Sequence, residues 1–174
     1  MRSDHAVLGR MVRQFDLAER EDYALFLSVH RSALRMLENH WRKEDQADFA
    51  AMLSAVAVDL YMLGLDNTHQ HADIHAPLAP GGQLGMAYVV RGTRLVACTL
   101  RREVPDYFPT AYLDLVPTLS WNQFLLQLEQ KPDAAGGTGH DQPIHGARTT
   151  CTLFKDLFAR ALAGDRSARN PPPI

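Results

Sequence analysis

Apolar residues recur along most of this chain with a period near that of an α-helix, and each run ends at a recognisable stop signal. From Glu19 onward, Tyr23, Phe26, Leu27, His30, Leu34 and Leu37 follow i, i+3, i+4, i+7 spacing, with Arg31, Arg35, Glu38 and Arg42 on the other side. That pattern predicts an amphipathic helix. A shorter helix is predicted over 4–14, with Asp4 as N-cap and Val7, Leu8 and Met11 on one face. A third runs from Asp45 to Leu63 and stops at Gly64, a C-cap glycine. Its alanines at 47, 50, 51, 55 and 57 imply close packing against a neighbour. Gly85 to Arg102 predicts a fourth helix, ended by Pro105, that is apolar yet interrupted by Gly85 and Gly92. A glycine inside a helix costs about 0.5–1 kcal/mol relative to alanine. The cost is accepted where a second helix or a flat cofactor must approach the backbone.

Ser120 and Gln123 have capping-box spacing and open a helix that reaches about Gln130. Asp141 caps a last helix, with Pro143 in its first turn and an apolar stripe of Leu153, Phe154, Leu157, Phe158 and Leu162. Residues 65–82 and 131–140 are rich in proline or glycine and read as loop and linker. No segment alternates over enough residues to need a strand. The expected fold is therefore all-α, a single-domain helical bundle over 1–164 with a flexible C-terminal tail over 165–174.

Composition narrows the function classes. With 174 residues, 46% hydrophobic and 22% charged, and a net charge of -2, the chain is long enough for one real core. It offers no electrostatic case for nucleic acid or a membrane surface. No apolar run approaches the ~20 residues of a membrane span, and no signal-peptide core opens the chain. Cys98 and Cys151 lack metal-type spacing and read as small buried hydrophobes of a reduced, cytoplasmic protein.

Three groups of residues are candidates for chemistry. His69, His71 and His75, with Asp66 and Asp73, would suit zinc or nickel if their loop wrapped a metal. No regular element fixes their geometry, which favours a solvated loop. His30 lies within an apolar stripe, where a histidine is more often a core residue with one satisfied nitrogen than a ligand. His5, on the first helix, faces the question of whether it pairs with the glycine-broken fourth helix. A histidine on one wall and a closely approachable backbone on the other is the arrangement a haem requires.

Several stretches resemble the bacterial haem oxygenase family over nearly the whole chain. Tyr88 to Ala97, YVVRGTRLVA, is similar to that family's distal helix, whose members read roughly YVLEGSxLGG. His5-Ala6-Val7-Leu8 resembles the HxxL of the proximal helix. Tyr23 to Leu27, continued to Leu37-Glu38, resembles a YxxFL…LE helix. Asp59 to Gly64 is similar to a DLxxLG ending, Trp121 to Glu129 to a WxxFLxxLE helix, and Gly146 to Phe154 to a GAxxxFxxF-type helix.

The resemblance implies a haem-oxygenase-like bundle that binds haem as substrate and cofactor together. With O2 and electrons from a reductase or ferredoxin, such enzymes open the ring to biliverdin and release CO and iron, in some cases for a biliverdin-using photoreceptor. It implies that His5 is the axial ligand to the iron and that Tyr88, Gly92 and Val96 contact haem. Gly92, Thr93 and Val96 are the residues implied for the reaction itself. Val96-Ala97 stands where the family usually has a glycine pair, and Thr93 where some members have an aspartate. Arg94, Arg101, Arg102 and Arg148 are the cations available for the propionates. A haem-binding or regulatory bundle without turnover is the second reading. A thiaminase-type bundle is a third, disfavoured because both cysteines read as buried.

Overall fold

A computed structural model describes residues 2–65, 78, 81–130 and 141–169, with side chains described for 7–65, 78, 81–129 and 143–164. The helices are α1 (Arg2–Val12), α2 (Arg20–Leu37), α3 (Gln46–Met62), α4 (Gln83–Thr99), α5 (Ala111–Asp114), α6 (Trp121–Gln130) and α7 (Asp141–Arg169). Short 3-10 turns follow α2 (Glu38–His40) and α4 (Leu100–Glu103). The described residues contain no strand, so the all-α expectation holds. None of their helices is long and apolar enough to cross a membrane.

The long α7 is the backing on which α1, α2 and α4 pack, while α3 lies against α2 and α5. Every apolar position of the α2 stripe is buried, from Tyr23 to Leu37. Phe26 meets Phe158 at 6.5 Å between ring centroids, and Phe158 meets Phe15 at 5.8 Å. This ties α2, α7 and the connector after α1 into one core. Burial of such side chains contributes roughly 1.5–3 kcal/mol each, which is why the stripe decides the fold.

Local signals acted as their chemistry requires. Gly64 adopts φ 74, a left-handed conformation that favours glycine. The N–H groups of Gly64 and Leu65 donate back to Tyr61 and Leu60, closing α3 in a Schellman motif. The Ser120 amide donates to Gln123 Oε1 at 3.0 Å, and the Gln123 amide to Ser120 Oγ at 3.3 Å, which completes the capping box.

The glycine at 85 is explained by a helix crossing. A Cβ on Gly85 would lie 1.8 Å from the Pro143 carbonyl oxygen, and one on Gly146 would lie 2.0 Å from that of Gly82. Backbone therefore touches backbone where α4 and α7 begin, and only hydrogen side chains fit there.

Other expectations are corrected. Asp4 is not an N-cap, because α1 begins at Arg2. The helix expected over Asp45–Leu63 is found at Gln46–Met62, and the Asp45 carboxylate just before it pairs with Arg42 and Arg91. Of the α3 alanines only Ala55 is buried, whereas Ala47, Ala50 and Ala51 face outward. The buried side of α3 is filled by the larger Phe49, Met52, Leu53, Val56 and Leu60, which leaves the small residues outside. The helix of α7 runs on to Arg169, into the stretch read as tail.

Candidate functional site

Two buried arginines fix the rotation of α4. Arg91, 5% exposed, donates to Asp45 at 2.9 Å and to Asp48 at 2.8 Å, with its guanidinium 5.5 Å from the Phe49 ring centroid and 5.2 Å from that of Phe124. Arg94, 3% exposed, donates to the carbonyls of Leu113 at 3.0 Å and Leu115 at 2.5 Å and lies over the Tyr112 ring. Buried charges need partners: Arg91 is paired with two carboxylates and Arg94 is held by two carbonyls, while the Nε of each has no partner among the described residues. Burial disfavours the Asp48 carboxylate, but the Thr118 hydrogen bonds and Arg91 outweigh it and hold its pKa below the ordinary value.

With that side anchored, the other side of α4 is the less covered one among the described residues. Tyr88, Gly92 and Val96 recur at one-turn intervals along it, as the sequence spacing predicts. Tyr88 is half-buried, with its ring 5.3 Å from Trp121. Gly92 and Thr93 are half-buried, and Leu95 and Val96 are exposed at 47% and 43%. The Thr93 hydroxyl donates to the Val90 carbonyl at 3.0 Å, so its remaining capacity is as an acceptor. From Tyr88 to Val96 the open face carries no charged side chain. A narrow apolar face with a glycine at its centre has the chemistry to take a flat apolar ligand.

Of the residues implied for the site, Tyr88, Gly92, Thr93 and Val96 are thus brought together. The backbone of His5 lies in α1, which buries Leu8 and Val12 and packs onto the same α7 that backs α4. The His5 side chain falls outside the described side chains, and His69, His71 and His75 fall outside the described residues. Among the described residues no group of three His, Cys, Asp or Glu side chains is placed to hold a metal. Of the propionate candidates, Arg94 is consumed internally and Arg101 is bound to Asp106 and Asp114. Arg102 and Arg148 are exposed.

His30 is the core residue its stripe implied. It is 2% exposed and shares a 2.8 Å hydrogen bond between Nδ1 and the Tyr112 hydroxyl, while Nε2 has no partner among the described residues. Rings of Phe26, Phe154 and Phe158 surround it. Burial, aided by the Arg94 charge, lowers its pKa to about 3, so the imidazole is neutral at ordinary pH. Burial likewise raises the Tyr112 hydroxyl well above its usual range.

Cys151 is buried as expected, but Cys98 is exposed. Arg94, one turn earlier, takes the buried position on that side of α4 and leaves Cys98 at the edge, with Sγ against the guanidinium. The argument against a thiaminase-type bundle, that both cysteines are buried, therefore fails at Cys98.

Sequence reasoning missed the polar frame beneath α4. Arg91 lies 43 residues from Asp48 and 46 from Asp45, a separation at which no local pattern signals pairing. The one available signal was that Asp48 and Arg91 fall on apolar helix faces, where a charge requires a partner. No family model matches the chain, and comparison with curated proteins finds no match.

Proposed function

We propose that this chain binds haem against the open face of α4 and, with O2 and electrons from a reductase or ferredoxin, opens it to biliverdin, CO and iron. The observation that supports the reading is the uncharged Tyr88–Gly92–Val96 face on a helix whose other side is locked by Arg91 and Arg94. In this reading His5 on α1 supplies the axial ligand, and Tyr88, Gly92 and Val96 form the surface on which haem lies. Thr93 offers a hydrogen-bond acceptor beside it. Bound haem would supply the redox chemistry; the protein would orient the ring and limit access of water.

The test is a haemin titration followed by its Soret band, then addition of ascorbate or a ferredoxin system in air. Wild-type protein binds haem stoichiometrically and accumulates biliverdin. His5→Ala shifts the Soret band and weakens binding, and Gly92→Leu loses most affinity with its helical circular dichroism intact. Haem binding that survives both substitutions unchanged would remove the site from α4.

One observation favours the second reading, a haem-binding bundle without turnover. Val96 stands one turn from Gly92 on the same open face, where its side chain occupies space that a glycine would leave. Val96→Gly should raise biliverdin formation if that crowding limits the reaction, at a helix cost of roughly 1 kcal/mol. A Soret band with no biliverdin from either protein would leave only the binding role.

A further inference from the structure

The single turn of α5 is held by polar groups from three helices. From α2, His30 Nδ1 shares its hydrogen bond with the Tyr112 hydroxyl, the two ring centroids 5.2 Å apart. From α3, Asp59 accepts the amides of Ala111 and Tyr112. From α4, Arg94 sets its guanidinium 5.1 Å from the Tyr112 ring centroid and donates to the Leu113 and Leu115 carbonyls. One tyrosine ring therefore has both an imidazole and a guanidinium against it. The rest of the imidazole's surroundings are the Phe26 ring of its own helix and the Phe154 and Phe158 rings of α7. A proton added to His30 would sit in this aromatic core with no acceptor at Nε2 among the described residues, and the charge it would feel is that of Arg94. A buried charge so placed is strongly disfavoured.

We infer that α5 is an acid-released latch: His30 takes up a proton when Tyr112 swings away, so mild acid frees residues 110–115 while the helices beneath stay packed. The opening uncovers His30 and the phenylalanine rings around it. With α5 in place His30 protonates only near 3, whereas in the open state the imidazole returns to its ordinary value of 6.5. Between those values the open state holds the extra proton and gains tenfold per pH unit below 6.5, roughly 30-fold at pH 5. The Tyr112 hydroxyl, raised by burial, stays neutral throughout. Asp59 acts in the opposite sense. Burial raises its carboxyl, with Asp114 adding to the rise, so the closed state binds that proton the more readily as pH nears the carboxylate range. Release therefore belongs to the interval between 6.5 and about 5. None of these residues belongs to the Tyr88–Gly92–Val96 face, so the inference stands or falls independently of haem.

Amide hydrogen exchange of the whole chain tests this, read as opening constants after correction for intrinsic exchange rates. Those of Ala111 and Tyr112 should exceed those of Leu27 in α2 and Phe154 in α7 at each pH, as a local opening requires. They should also rise roughly 30-fold from pH 7.5 to pH 5. His30→Phe keeps an aromatic ring but removes the proton site, and the rise should vanish. Tyr112→Phe removes the hydrogen bond but keeps the proton site, so opening should be more frequent at both pH values with the rise retained. A pH-independent opening in the wild type overturns the inference. So does a rise that survives His30→Phe or is lost in Tyr112→Phe. Opening constants at Ala111 and Tyr112 equal to those at Leu27 and Phe154 overturn it too, since α5 would then leave only with the whole fold.

Discussion

The imidazole of His30 sits among phenylalanine rings with one nitrogen bonded to Tyr112 and the other without a partner among the described residues, and this gives the fold an acid-sensitive point. The unfolded chain protonates this residue as pH falls through its ordinary value of 6.5, whereas the folded chain does so only near 3. Between those values the unfolded state holds the extra proton, so stability falls as pH falls, by ~1.4 kcal/mol per unit. From pH 6.5 to 5 the group should remove about 2 kcal/mol, and stability from this source is complete above 6.5. Urea denaturation at pH 7 and pH 5 checks this against His30→Phe, which keeps an aromatic ring and cannot protonate. The substituted protein should show a shallower loss; identical slopes would place the proton elsewhere.

Among the helices, the α4–α7 crossing and the free glycines offer a matched contrast. Gly85→Ala would drive a methyl group into the Pro143 carbonyl and must push the two helices apart. The cost should be about 1–3 kcal/mol, the usual penalty of overpacking. Gly9 in α1 and Gly164 in α7 have nothing within 4 Å of an added Cβ. Alanine at either should stabilise by roughly 0.4–1 kcal/mol by restricting the unfolded chain. Thermal unfolding of the three variants should separate in that order. Elements of this kind were legible beforehand where their cause is local. Gly64 and the Ser120–Gln123 pair act on backbone within a few residues, and the α2 stripe repeats within one helix. The alanines of α3 were legible as small residues, but which side they occupied depended on the larger residues chosen by α2 for burial. The period also placed Tyr88, Gly92 and Val96 on one face. It could not show that Arg94, read as a candidate for an external anion, turns inward to two carbonyls nineteen and twenty-one residues away.

Across the whole molecule, the passage from Val104 to Leu119, irregular apart from the single turn of α5, is a strap laid over three helices and held by their side chains. Tyr23 of α2 donates to the Pro109 carbonyl at 2.9 Å. Asp59 of α3 accepts the amides of Ala111 and Tyr112, both at 2.8 Å, and Asp48 accepts that of Thr118 at 2.8 Å. From α4, Arg94 takes the Leu113 and Leu115 carbonyls and Arg91 that of Leu119 at 3.3 Å. Backbone outside a helix must find partners when it is covered, which explains why the core holds these charges at all. Burial raises the pKa of Asp59, and the two amide bonds only partly offset that rise. Asp59→Asn keeps the shape but sets an amide NH2 against a backbone N–H, and should cost about 1–3 kcal/mol. Hydrogen exchange at Ala111 and Tyr112 should quicken, and trypsin should cut at Arg101 or Arg102 sooner than in the wild type. Unchanged exchange would mean that the strap is held by its apolar contacts alone.

Because that strap is gripped by its peptide groups, its own letters carry little of the information that places it. Apart from the buried Val104, Tyr112 and Leu113, the partly buried Phe108, Leu115 and Leu119 that pack on the core, and Thr118 at Asp48, its side chains can drift without loosening the grip, as exposed Tyr107 and Val116 illustrate at 80% and 85%. The constraint has moved to residues remote in the chain, Tyr23, Asp48, Asp59, Arg91 and Arg94. In a library of variants the strap should accept substitutions freely while those five positions tolerate almost none, so the segment that looks most irregular would be specified by text written elsewhere.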